Sequence, residues 1–159
     1  MLELIKDFQT ALALLLSTSI AWKALKNNQK IARQKNTIDA QKELLGEEFL
    51  EDIRILMEAL DNERGYTIEE WAHGHNYYKP TSKSIRDILN AWERLALGIE
   101  AGVYDQRMLF KTYKTTLYGI EELTRQYRKE RQKTMPSAYT QFDDLVATWK
   151  YLERAHPGY

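Results

Sequence analysis

The chain has 159 residues, 43% of them hydrophobic and 29% charged, and its 23 Lys+Arg are cancelled by 23 Asp+Glu. That length suits one domain with a self-sufficient core. Zero cysteines exclude a disulfide framework, thiolate catalysis and cysteine-based zinc sites, and zero net charge gives no global pull toward nucleic acid.

Phe8 to Trp22 runs for fifteen residues without a charge. A helix rises about 1.5 Å per residue, so crossing a ~30 Å hydrocarbon layer takes about 20 residues. The run reaches that length only if Lys6 and Lys23 snorkel at its two ends. Trp22 stands where an interfacial aromatic would, and Lys23, Lys26, Lys30, Arg33 and Lys35 follow before the first acid, Asp39. The positive-inside rule then puts the amino terminus outside and the rest in the cytoplasm, as a single pass through the inner membrane. On this reading residues 1–25 are the anchor, with Phe8, Leu12, Leu15, Leu16, Ile20 and Trp22 facing lipid. Residues 26–42 form a basic stalk and 43–155 a bundle. A cleavable signal peptide fits poorly, because no basic region precedes the run. The alternative is a soluble cytoplasmic protein in which Leu12, Leu15, Leu16 and Ile20 pack within the bundle or in a homo-oligomer seam.

The remaining segments read as helices. Ile31, Ile38 and Leu45 recur every seven residues, and Phe49, Ile53, Leu56 and Leu60 widen that seam into a core-facing stripe. A single helix from Leu2 to Leu60 would extend on the order of 90 Å. After a break at 62–65, Thr67-Ile68-Glu69-Glu70 is a capping-box pattern opening a short helix through Trp71. Thr81-Ser82 caps a helix whose core stripe is Ile85, Ile88, Leu89, Trp92, Leu95, Ala96 and Ile99. Gly102 is the glycine expected in left-handed conformation past that helix, and Asp105 caps the next. Phe110, Tyr113, Leu117, Ile120, Leu123 and Tyr127 continue the helical period, with Gly119 marking a close helix crossing. Ser137 caps the last helix, which buries Tyr139, Phe142, Leu145, Val146, Trp149 and Leu152. No segment alternates with period two for long, so the fold is all-α. A long N-terminal helix leads into a bundle of about four to five helices.

Charge is divided along the chain: Lys23 to Lys42 carries six basic residues and one acid, and Glu43 to Arg64 eight acids and two bases. Two solvated faces would explain this. The functional version lays Lys23, Lys26, Lys30 and Arg33 against anionic lipid headgroups, each worth about 1 kcal/mol near the surface. A second basic stretch, Arg125 to Lys133, offers Arg128 and Arg131 as lipid-phosphate or nucleic-acid contacts with Tyr127 as a stacking ring. Against it, Tyr127 falls in the apolar stripe, Glu130 interrupts the patch, and cations near a helix C-terminus are favoured regardless of function. His73-Gly74-His75 beside Glu69 and Glu70 is the only candidate metal cluster, and its spacing is not that of HExxH. Neither a Gly-x-Ser-x-Gly elbow nor a glycine-rich phosphate loop is present. Glu121-Glu122 and Asp143-Asp144, adjacent on a helix, diverge by about 100°. The expectation is a non-enzyme without a cofactor.

Several stretches also carry a resemblance. They are Asn36-Thr37-Ile38-Asp39, Glu48-Phe49, Ile88 to Ile99, Gly102-Val103-Tyr104-Asp105, and Tyr139-xx-Phe142-xx-Leu145-xxx-Trp149. Together the chain resembles the DUF4760-like family of bacterial and phage helical proteins. Ala91 stands where that family usually has a second aromatic, and Tyr104 where it has an aliphatic residue. The resemblance implies a helical domain commonly preceded by one N-terminal transmembrane helix, and it implies no catalytic residues. Asn90, Trp92, Glu93, Gly102 and Asp105 are expected to be structural, with Asn90 and Glu93 bonding a neighbouring helix end or the Gly102 turn. The combined expectation is a membrane-anchored, non-catalytic interaction or regulatory module with an unidentified protein partner. Its rivals are a soluble protein-binding inhibitor or oligomer and, less favoured, a nucleic-acid-binding helical domain.

Overall fold

The structure, a computed structural model, describes residues 2–44, 46–61 and 65–156; the side chains of 2–12 and 44 lie outside that description. It comprises five α-helices: α1 (Leu2–Leu44), α2 (Glu47–Asp61), α3 (Pro80–Glu100), α4 (Gln106–Thr134) and α5 (Thr140–Ala155). Two short 3-10 turns, Glu70–Ala72 and Gly74–Asn76, lie between α2 and α3. No strand occurs among the described residues.

The core forms where the apolar stripes of α2 to α5 meet. Leu56, Ile85, Ile88, Leu89, Trp92, Leu109, Leu117, Phe142 and Trp149 are fully enclosed. Around Trp149 the rings of Trp92 and Phe110 stand edge-on at 6.4 and 5.5 Å, the geometry that the aromatic quadrupole favours over face-to-face stacking. A polar brace joins α4 to α5. Arg128, 5% exposed, pairs its guanidinium with Asp143, donates to the Glu121 carbonyl at 3.0 Å and lies 4.8 Å over the Phe142 ring.

Local chemistry sets the helix ends. Thr67 and Glu70 make the reciprocal bonds of a capping box, the Thr67 amide to Glu70 Oε2 at 2.7 Å and the Glu70 amide to Thr67 Oγ1 at 3.2 Å. The helix expected after them is reduced to the two 3-10 turns. α3 opens with Pro80 in its first turn instead of a Thr81-Ser82 cap, since a missing N–H costs nothing there. α5 opens at Tyr139, which adopts φ 61° and buries its ring, so Ser137 is not the cap. Gly119 is exposed, and a Cβ there would meet no atom within 4 Å, so no helix crosses at that point.

The single helix from Leu2 to Leu60 is also corrected. α1 and α2 are separate, with a bend at Gly46, whose amide reaches back to the Glu43 carbonyl at 3.2 Å. Ile31 and Ile38 do not face the bundle; they are 55% and 44% exposed, while Thr37 and Ala40 on the other side of α1 are buried. Leu45, the third member of that seam, and the break at 62–64 lie outside the described residues.

Candidate functional site

α1 is 43 residues long, about 64 Å at the helical rise, and among its described side chains those of residues 13–33 are exposed and burial begins at Gln34. The exposed part projects as an arm. Along it Leu14, Leu15, Leu16, Ile20 and Trp22 are between 56% and 68% exposed, whereas the large apolar side chains of the bundle core are enclosed. The alternative in which these leucines pack inside the bundle is therefore corrected for Leu15, Leu16 and Ile20. The side chains of Phe8 and Leu12 lie outside the described residues. Among the described residues no helix is long and apolar enough to cross a membrane. The expected spanning anchor is thus corrected to an exposed apolar arm. The reason is length: fifteen uncharged residues cover about 22 Å of a ~30 Å layer.

The arm carries its cations just past Trp22. Lys26 Nζ lies 5.3 Å from the Trp22 ring centre. Among the described residues Lys23, Lys26, Lys30, Arg33 and Lys35 have no ion-pair partner. Several of the bundle's cations are paired: Lys83 with Asp87, Lys114 with Glu153, Arg125 with Glu121, and Lys150 with Glu121.

The arm is fastened to the bundle at the α3–α4 turn. Thr37, fully buried, donates to the Arg33 carbonyl at 2.7 Å and accepts the Asp105 amide at 2.7 Å. Asp105 in turn accepts the Met108 amide at 3.1 Å, capping α4 as its sequence position implied. Gly102 holds φ +68° and any side chain there would meet the Arg33 guanidinium at 3.4 Å. The close approach expected of a glycine occurs at Gly98, where a Cβ would sit 2.1 Å from the Tyr104 ring. Arg94 and Glu43 close the outer side with an ion pair at 3.2 Å. The basic stalk is thus solvated only in part, because residues near Thr37 and Ala40 are bundle structure. Beside the joint lies a cleft of about 520 Å³ lined by Lys26, Gln29, Lys30, Arg33, Gly102 and Arg107, among others.

The other sequence candidates fall elsewhere. Arg128 is committed to the α4–α5 brace. Arg131 donates to the Ala72 carbonyl at 3.5 Å and lies 5.7 Å from the Tyr77 ring. Tyr127 is fully buried as well, so these three side chains are engaged within the fold. His73 and His75 stack at 5.8 Å between ring centres, and His73 Nδ1 is 4.0 Å from Glu130 Oε1. Among the described residues no three His, Cys, Asp or Glu side chains are grouped to hold a metal ion. Asn90 is exposed and lines an acidic groove with Glu43, Glu48 and Asp87. Glu93 meets the end of a neighbouring helix, facing the backbone amides of Gln141 and Phe142 at the start of α5. Burial raises its pKa above the ordinary value, and those two amides pull the other way.

The joint brings together two of the stretches that carried the family resemblance, Asn36 to Asp39 and Gly102 to Asp105. The sequence of residues 11–149 matches the family described as "Domain of unknown function (DUF4760)". The chain belongs to this family. No protein of curated function and no solved structure matches it. The DUF4760 match includes the arm from Ala11 onward, so arm and bundle form one family unit. Sequence reasoning missed Thr37, Gly98 and Arg107 as parts of the joint. Thr37 and Gly98 lay within the stretches that carry the resemblance, whereas nothing local distinguishes Arg107.

Proposed function

We propose that this DUF4760 chain is a non-catalytic helical module that attaches to a membrane through its projecting arm and presents its bundle to a protein partner on the cytoplasmic side. One observation carries the reading. Leu14, Leu15, Leu16, Ile20 and Trp22 stand in solvent on the arm, followed along α1 by five cations without an ion-pair partner among the described residues. An apolar tip followed by a basic collar matches the layering of a bilayer, hydrocarbon first and anionic headgroups next. The buried polar groups support a non-catalytic role: Thr37 and Arg128 join helices through Asp105 and Asp143, and Thr124 bonds within α4. Flotation of the full chain with phosphatidylcholine vesicles tests attachment. Wild type is expected to float, and Leu15→Glu with Ile20→Glu to stay at the bottom. Wild type left at the bottom sinks the proposal.

A second reading has an observation of its own. Ile20, Ile31 and Ile38 share the side of α1 away from the bundle and are all exposed, so two arms could pair along that seam. Sedimentation equilibrium without lipid distinguishes it, since arm pairing requires a dimer that Ile31→Glu dissolves.

A further inference from the structure

The cleft at the foot of the arm draws three of its cations from that basic collar. It gathers Lys26, Lys30 and Arg33 from α1 and Arg107 from the first turn of α4. The three arm cations have no ion-pair partner among the described residues. The lining holds four cations against one acid, Asp105, whose Oδ1 also accepts the Met108 amide, so it is electropositive on balance. Gln29 and Gln106 add amide donors on opposite walls. Gly102 contributes no side chain, and the Arg33 guanidinium occupies the space beside it. Four cations and two amides around a cavity of about 520 Å³ suit a tetrahedral oxyanion that takes several charge-assisted hydrogen bonds at once.

We propose that this cleft binds a phosphoryl group, supplied by the headgroup of an anionic lipid. The assignment rests on the membrane-attachment reading and deepens it. With Trp22 at the edge of the hydrocarbon, Lys26 and Lys30 stand about 6 and 12 Å further along the helix. A headgroup layer is about 5–8 Å thick, so Lys26 lies within it, while Lys30 and, about 16 Å along, Arg33 stand beyond it and reach back, since helix side chains tilt toward the N-terminus. A dissolved phosphate has the same chemistry, and the test separates the two sources.

Arg33 and Lys35 make a matched pair. They lie about 3 Å apart in height and about 200° apart around the helix, and only Arg33 lines the cleft. The full chain is floated with phosphatidylcholine vesicles, with and without phosphatidylglycerol. A smeared surface attraction predicts the same loss of anionic preference, about fivefold, for Arg33→Gln and Lys35→Gln. The cleft predicts about tenfold or more for Arg33→Gln and for Lys30→Gln, and at most about fivefold for Lys35→Gln. Equal losses overturn the assignment while leaving attachment intact. If wild type floats with neither vesicle, attachment fails, and titration of the full chain with inorganic phosphate decides the cleft. Amide shifts confined to Gln29, Gly102 and Gln106 then support a site for dissolved phosphate, and their absence overturns it.

Discussion

The hydroxyl of Thr37 takes the amide proton of Asp105, 68 positions away, at 2.7 Å, and gives its own proton to the Arg33 carbonyl at 2.7 Å. One buried side chain thus closes the turn between α3 and α4 and fixes the angle at which the arm leaves the bundle.

Thr37→Val keeps the shape of that side chain and removes both bonds. It leaves the half-buried Asp105 amide without a partner, a loss of about 1–3 kcal/mol. Chemical denaturation is expected to register that loss, and amide exchange at Asp105 to accelerate. Thr37→Ser should recover most of both, since it restores the hydroxyl.

Gly98→Ala drives a methyl group into the Tyr104 ring, with a contact of 2.1 Å if nothing moves. An overpacked contact of this kind costs about 1–3 kcal/mol. Combining it with Tyr104→Ala should give a loss smaller than the sum of the two single losses, because the clash then disappears. Additive losses in a double-mutant cycle would mean the ring is not the obstacle.

In the α4–α5 brace the two partners differ in exposure, with side chains 6% exposed for Arg128 and 38% for Asp143. Asp143→Ala removes the nearer of two carboxylates from a buried cation, leaving Glu121 Oε1 at 3.8 Å, and a loss of about 2–3 kcal/mol is expected. Arg128→Met fills the site with an apolar chain and lets Asp143 turn to water, so it should cost less. Urea midpoints of the two variants check the order.

Glu121 and Glu93 predict opposite pH behaviour. Burial works against the Glu121 charge, but Lys150 and Arg125 outweigh it and hold its pKa below the ordinary 4.5. Its contribution to stability is present above 4.5 and is lost as pH falls through the lower folded value. Burial raises the Glu93 pKa above 4.5, so its contribution is present below 4.5 and fades as pH rises through the folded value. Unfolding free energy measured from pH 3 to 7 should rise less steeply with pH in Glu121→Gln and more steeply in Glu93→Gln.

The arm predicts a separation of stability from attachment. Leu15→Glu and Ile20→Glu alter side chains that the bundle does not cover, so the unfolding midpoint should move by no more than about 0.5 kcal/mol in free-energy terms. A large drop would mean that these leucines are shielded by protein after all.

Gly102 and Asp105 were legible in the sequence because each answers a local need, a left-handed turn and an uncapped helix start. The Trp92 and Trp149 stripes were legible because helical period alone puts apolar residues on one face. Gly98 and Gly119 were not distinguishable, since each is a glycine inside a helix, and only the approach of Tyr104 marks one as necessary. Arg128 misled for a related reason: a cation in a basic run reads as solvated until Asp143 arrives from another helix. Ile31 and Ile38 misled in the opposite sense, because a seven-residue repeat marks a seam without saying whether a partner fills it.

The order of residues by itself determined that the chain is helical, which positions are apolar, where α3 ends and α4 begins, and that an uncharged stretch is followed by a basic one. These follow from backbone geometry and hydrophobic spacing within a few turns. Only the tertiary structure decided which polar residues are buried, that α1 docks by Thr37 and Ala40, and that four cations converge on one cleft. Those outcomes depend on partners far apart in the chain, and a buried polar group is stable only where another helix supplies its hydrogen bond.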